Sequence, residues 1–292
     1  MSPLCIILPL CSALLYAVAA LLLKRALDTG AGPWRAAFVS NMAMMLVQQP
    51  FWLLATKPFA WTGVAQAALA GSAFFAGQFF TFLALNRGDV SVATPVLGTK
   101  VIFVAALTVL LVGDRLRASW WIAVVLTALG TVLLGWQPRV HPRHVALSIG
   151  CGLGAAFSFS LTDILVQKWA PRWGFGNFAP TMFATLGVLS LAYVPFFSKR
   201  LRDMPAKTWR WLAPGALLLA VQALGVVFAI ASYGHATVVN IAYNSRGMWS
   251  IVLVWTVGHW FRNAEREQGH GVMGLRLAAA SMLVAAIVLV SF

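Results

Sequence analysis

The sequence predicts an all-α integral membrane protein: ten transmembrane helices arranged as two inverted five-helix repeats. Three observations predict it. The chain of 292 residues is 61% hydrophobic and only 10% charged, where a soluble domain is about 25% charged. With so few polar residues it cannot cover itself for water, and its mean hydropathy of +0.84 points to lipid as the solvent. The apolar residues fall into ten stretches of about 20, the length that crosses roughly 30 Å of hydrocarbon as a helix. Two of those stretches, distant in the chain, also read alike.

In order, the segments are 4–23, 36–54, 64–85, 90–112, 118–136, 145–166, 177–197, 211–233, 236–260 and 274–291. Each is apolar on all sides rather than alternating. Helix is therefore the only choice, because strands in lipid need a closed barrel with alternating polarity. Segment 4–23 has the length of a signal sequence, with Ala17-Val18-Ala19 as a cleavage site. Met1 to Pro3 carry no base, however, and Lys24-Arg25 follow directly. It is read as a retained first helix. Most of the 13 tryptophans sit at or near segment ends, among them Trp34, Trp61, Trp120, Trp136, Trp173 and Trp260. That is the aromatic belt of a membrane interface. Trp249 and Trp255 instead fall inside the ninth segment.

The second stretch of the repeat copies the first. Gly88-Asp89-Val90-Ser91-Val92-Ala93-Thr94 lies over Gly234-His235-Ala236-Thr237-Val238-Val239-Asn240. The same register puts Lys100 over Arg246. Leu21-Leu22-Leu23-Lys24 lies more loosely over Leu165-Val166-Gln167-Lys168. Residues 1–140 and 141–292 are thus expected to be two five-helix repeats. An odd helix number makes the second copy insert upside down. Such repeats bind their ligand near the midplane and alternate its access by rocking.

The net charge of +14 is no sign of nucleic-acid binding. The bases lie mostly in short loops, where Lys and Arg orient membrane proteins. One side carries only Lys57, Arg115, Arg117, Lys168 and Arg172. Positive-inside reasoning then puts both termini outside the cytoplasm, with the Lys199–Arg210 loop deciding the count.

Of the seven acids, Asp28, Asp89, Asp114, Asp203, Glu265 and Glu267 lie in loops or at segment ends. Asp163 alone lies within a segment. The charges in the membrane are therefore Lys100, Asp163 and Arg246. Each costs about 2.5–3.5 kcal/mol at a helix centre, so such residues face a bundle interior or a wet cavity and are functional candidates. Polar partners share helix faces with them. Asn240, Tyr243, Asn244, Arg246 and Ser250 fall within about 160° of arc on a continuous ninth helix. Ser160, Asp163 and Gln167 line the sixth. Ser91, Thr94, Gly98 and Thr108 share a face of the fourth, with Lys100 to one side. Gln78 and Thr81 pair on the third, Asn41 and Gln48 on the second, and Gln222 sits mid-way along the eighth. The bland alternative is a structural network in which Asp163 pairs with Lys100 or Arg246 only to hold the halves together. One acid cannot neutralise two bases, however, and arginine stays protonated.

Cys5, Cys11 and Cys151 lie in apolar segments without disulfide or metal spacing. His141, His144 and His270 flank loops, and His235 and His259 bracket the ninth segment. His141 and His144 are close in sequence, but no Cys, Asp or Glu stands nearby to complete a metal site. No nucleophile–base motif, phosphate loop or dinucleotide fingerprint occurs. No metal or cofactor is expected, and no enzyme activity.

The stretch from Ala84-Leu85-Asn86 to Val112-Gly113-Asp114-Arg115-Leu116, followed by Trp121-Ile122-Ala123 to Gly130-Thr131-Val132-Leu133-Leu134, resembles the fourth and fifth helices of the EamA-like family. The whole chain resembles that branch of the drug/metabolite transporter superfamily. Family members often carry a proline ahead of the Gly-Glu/Asp-Arg motif; here Val101 stands there, after Lys100. The second copy has Gly258-His259-Trp260 where an acid–arginine pair would stand. Cations on the fourth and ninth helices are similar in position to those of the sugar-phosphate and organic-anion branches, where they bind phosphate or carboxylate.

The resemblance and the cation pair together imply a secondary transporter, with export the commoner direction, for a small anionic or zwitterionic metabolite. Lys100, Arg246, Asp163, Tyr243, Asn240, Asn244, Thr94, Gln78 and Gln222 are the expected substrate-binding residues. Arg246 would fork onto an oxyanion, and Asp163 would receive an amino group or carry a coupling proton. Proton-coupled efflux of cationic or apolar drug-like compounds through Asp163 is the alternative. A membrane enzyme or receptor is a third reading, for which no reactive constellation is found. Lipid is the expected surround, and no nucleic acid is expected as a partner. Both halves of the site in one chain are compatible with a monomer and do not exclude a dimer. The expected location is a bacterial inner membrane.

Overall fold

The computed structural model describes residues 2–87, 92, 96–135, 145–257 and 270–291. These form helices α1 (Leu4–Asp28), α2 (Pro33–Gln48), α3 (Trp61–Arg87), α4 (Lys100–Leu107), α5 (Ala118–Gly135), α6 (Val145–Trp173), α7 (Phe175–Ser190), α8 (Ala206–Tyr233), α9 (Ala236–Tyr243), α10 (Arg246–Val257) and α11 (His270–Ser291). No strand occurs among the described residues. Seven helices are long and apolar enough to cross a membrane: Leu4–Asp28, Trp61–Ala84, Ala118–Gly135, Val145–Trp173, Phe175–Phe196, Ala206–Tyr233 and Gly274–Ser291. Lys100–Val112 is a shorter apolar helix. Helix is what the composition dictates, since backbone groups in lipid must be satisfied within their own segment.

The core is apolar, but unlike that of a soluble protein the outer surface is apolar as well. Large apolar side chains such as Leu53, Leu110, Val188 and Leu277 face outwards. Asn41, Gln48, Ser160, Asp163, Gln222, Asn240 and Asn244 are buried.

Packing runs in matched sets. α1 lies along α8, as α3 lies along α6. α2 meets α8, as α7 meets α3. α4 crosses α6, as α9 and α10 cross α1. α2 with α7, α5 with α11 and α4 with α9 complete the set. Each long crossing uses a glycine, because without a hydrophobic drive between helices in lipid close approach supplies the attraction. Gly77 lies against the Phe159 ring and Gly154 against Phe80, both between α3 and α6. Gly225 lies against the Ser12 hydroxyl between α8 and α1, and Gly130 against the Ala279 carbonyl between α5 and α11.

Two irregularities matter for the site. Val96 and Leu97 are helical, Gly98 and Thr99 form a turn, and α4 starts at Lys100. The Thr99 amide bonds back to the Val96 carbonyl at 3.0 Å and its hydroxyl donates to the same oxygen at 2.7 Å. The ninth segment is likewise broken. α9 ends at Tyr243, Asn244 and Ser245 turn, and α10 starts at Arg246. There the Ser245 amide donates to Ala242 at 3.1 Å and the Gly247 amide to Asn244 at 3.2 Å. The tighter turn at each place displaces the helix face. A single polar arc from Asn240 to Ser250 on a continuous ninth helix is thus corrected: the arc is split between two helices. The sequence clue to the break is Asn244, a residue that competes with its own backbone for hydrogen bonds.

A Cβ on Gly71 would run into the backbone carbonyl of Met182, whereas one on Gly150 meets nothing within 4 Å. Gly71→Val is expected to cost about 1–3 kcal/mol through overpacking. It should lower the thermal midpoint of the detergent-purified protein, with Gly150→Val close to wild type.

Candidate functional site

The polar stripe of α6 is the organiser. Ser160, Asp163 and Gln167 follow one another at helical spacing, and each bonds a different element. The Ser160 hydroxyl is shared between the Ala156 carbonyl of its own helix at 2.7 Å and the main-chain carbonyl of Lys100 at 2.9 Å, which ties the break before α4 to α6. One turn on, Asp163 Oδ2 accepts from Lys100 Nζ at 2.7 Å and from Asn240 Nδ2 at 2.8 Å. The next turn brings Gln167. Its Nε2 donates to Asp114 Oδ2 at 2.9 Å, and its Oε1 accepts the Ala236 amide at 2.8 Å, at the start of α9. Asn240 also donates to the Ala236 carbonyl at 2.9 Å. One helix face thus ties α4, α9 and the turn after α4 together.

The Lys100–Asp163 pair is enclosed, with side-chain exposures of 12% and 9%. The Lys100 ammonium also stands 5.9 Å from the centre of the Phe159 ring. A buried pair has to recover the hydration both ions lose, and removing one partner leaves the other charge stranded.

Arg246 is held differently. Its guanidinium lies 4.9 Å from the ring centres of both Tyr16 and Tyr243. Aromatic faces attract a cation electrostatically, more strongly where water is excluded. The two rings meet edge to face at 6.1 Å, and the Tyr243 hydroxyl donates to Gln222 Oε1 at 2.8 Å. Among the described residues no carboxylate lies within ion-pair distance of Arg246. Its charge still acts on Lys100 and Asp163. The centre therefore holds two bases and one acid.

Of the expected site residues, Lys100, Asp163 and Asn240 stand together, and Arg246, Tyr243 and Gln222 form the adjoining group. Asn244 is buried in the turn between α9 and α10. Gln78 is half-buried on α3, outside both groups. Thr94 lies outside the described residues. Of the two partners that the structural alternative offered Asp163, the one it pairs with is Lys100. Tyr16 was missed. Its signal is a tyrosine in the middle of the first apolar segment, away from the interface where tyrosines anchor.

A cavity of 240 Å³ opens at the end of this stripe, lined by Thr108, Asp114, Trp120, Gln167, His235 and Thr237 among others. Glycines shape its rim. Gly113, with φ 84°, ends the helical turn Thr108–Val112 and delivers Asp114 to Gln167. Gly234, with φ 72°, ends α8 and delivers His235 to α9. Left-handed backbone of this kind favours glycine. Thr108 and Thr237, on facing helices, are hydroxyl to hydroxyl at 3.1 Å. His235 packs edge-on against Trp120 at 5.7 Å. Burial pushes the His235 imidazole below its ordinary value, against the opposing pull of the Asp114 charge.

Residues 3–136 match the EamA-like transporter family, within the drug/metabolite transporter superfamily. No curated protein matches the chain. Among solved structures 28 chains match. One crystal structure of a protein, 16% identical, covers 98% of this chain and 96% of its own, with a TM-score of 0.74. At that identity the likeness is one of fold. The family and the apolar helices together make the chain a multi-pass membrane protein.

Because the folded state prefers neutral His235, the unfolded chain binds more protons between the lowered folded value and the ordinary 6.5. Stability then rises with pH across that window. The thermal midpoint should fall as pH drops from about 7 through the ordinary histidine range. His235→Gln should flatten that part of the profile.

Proposed function

We propose that this chain, whose residues 3–136 belong to the EamA-like transporter family, is a secondary active transporter, working as an exporter, of a small anionic or zwitterionic metabolite. The observation that carries the reading is the matched pair of cations. Lys100 and Arg246 are each the first residue of a half-helix behind a break, at equivalent places in the two halves, with one acid between them. Broken helices facing each other near the midplane are how many transporters build a binding site.

Ten membrane-crossing segments in two inverted repeats fit the same facts. Exchanging the first five segments for the second five carries each major helix contact onto another, or onto itself. The family match stops at residue 136, close to the expected boundary between 1–140 and 141–292. Rocking of one half on the other would then alternate access. The 240 Å³ cavity, one turn beyond Asp163 on α6 and one turn before Asn240 on α9, is the entrance on one side.

In this reading Arg246 takes the substrate's oxyanion. Lys100 adds charge when Asp163 releases it, and a coupling proton taken up by Asp163 is what releases it. Asn240, Asn244 and Gln222 orient the ligand. Export of cations would need an available carboxylate, and Lys100 occupies Asp163 at 2.7 Å.

Counterflow in proteoliposomes, run over carboxylates, sugar phosphates, amino acids and organic cations, tests the assignment. Anions or zwitterions should be carried. Lys100→Ala and Arg246→Ala should each lower flux about tenfold or more, the scale of a lost charged hydrogen bond. Flux unchanged in the double variant would refute the proposal. So would flux of cations alone that Asp163→Asn abolishes.

A further inference from the structure

The first turn of α10 holds more than Arg246. Ser245, directly before it, is 1% exposed, and its hydroxyl has no hydrogen-bond partner. Trp249 has a buried indole nitrogen that is likewise unpartnered. In most proteins such buried donors are satisfied, because an unmade hydrogen bond leaves the loss of hydration uncompensated. Two on one turn therefore need a reason. Ser245 and Trp249 are four residues apart and Arg246 and Trp249 three apart, so all three share a face of the turn. Arg246 brings a full positive charge with no carboxylate within ion-pair distance among the described residues. The backbone does not consume the donors: the Gly247 and Trp249 amides are bonded to the Asn244 and Ser245 carbonyls at 3.2 and 3.1 Å.

Everything on this face donates. Serine supplies O–H, tryptophan supplies N–H and has no acceptor, and arginine supplies a planar fork of N–H groups. The complement of such a set is a group with several acceptor oxygens and a negative charge. The unpartnered Asn240 Oδ1 belongs to the other side of the break, since its amide nitrogen is bonded to Asp163.

We propose that this turn is an oxyanion seat: the substrate's carboxylate or phosphate group is held by Ser245 Oγ and Trp249 Nε1 together with the Arg246 guanidinium. This rests on the transport reading and assigns the ligand contacts of its anionic end. Ser245 and Trp249 become specificity-determining residues. A charged group docks at the break of the ninth segment, where rocking of the halves would expose it to either side.

The test uses the full chain in neutral detergent, with thermal midpoints read against inorganic phosphate and against succinate at constant ionic strength. One of the two should raise the wild-type midpoint, and which one does so decides between phosphate and carboxylate. Ser245→Ala and Trp249→Phe should each weaken apparent affinity about three- to tenfold, the scale of one hydrogen bond to a charged group. Ser245→Thr, which keeps the hydroxyl, should restore it. Either variant suffices should the other prove unstable without ligand. Stabilisation that Arg246→Gln removes but Ser245→Ala and Trp249→Phe leave intact would overturn the seat and spare the transport reading. No stabilisation of the wild-type protein by either anion would overturn both.

Discussion

The structure turns on charge inside a bundle that lipid surrounds. Three ionic side chains lie at its centre, and they do not sum to zero. Asp163 is committed to Lys100 at 2.7 Å and to Asn240 at 2.8 Å. Arg246 is left to two tyrosine rings. Aromatic faces soften the cost of a buried cation but do not cancel its charge. The remaining positive charge is the reason the function proposed above takes an anion as ligand. The helix breaks and the polar stripe of α6 meet at this centre. Ser160 fixes the Lys100 main chain, Asp163 its side chain, and Gln167 the start of α9.

The contacts at this centre join parts of the chain that are far apart in sequence. α6 holds Lys100 and Asp114, and Tyr16 on α1 holds Arg246. In the transport reading proposed above, a ligand that drew Lys100 from Asp163 would loosen one of these contacts, which is the differential interaction a conformational change requires.

Much of this is legible in the residues. Hydrophobic length marks the seven long apolar helices, because lipid leaves the backbone no alternative. The alignment of Lys100 over Arg246 marks the two buried cations, and the spacing of Ser160, Asp163 and Gln167 marks the α6 face. Two things were hidden. Composition does not show that Asn244-Ser245 interrupts the ninth segment, since the apolar run continues on both sides. Nor does it show that Tyr16 reaches Arg246. That contact depends on how α1 crosses α10, a tertiary arrangement that no local pattern encodes.

The most direct measurement of the central claim is calorimetric affinity for the transported anion in Asp163→Asn beside Arg246→Gln. If Asp163 serves to neutralise Lys100 while Arg246 meets the ligand, Asp163→Asn frees a second cation. Binding should then be as tight as in the wild type or tighter, while Arg246→Gln loses about tenfold or more. Binding that survives Arg246→Gln and vanishes in Asp163→Asn would contradict the account, and would make Asp163 the group that meets the ligand.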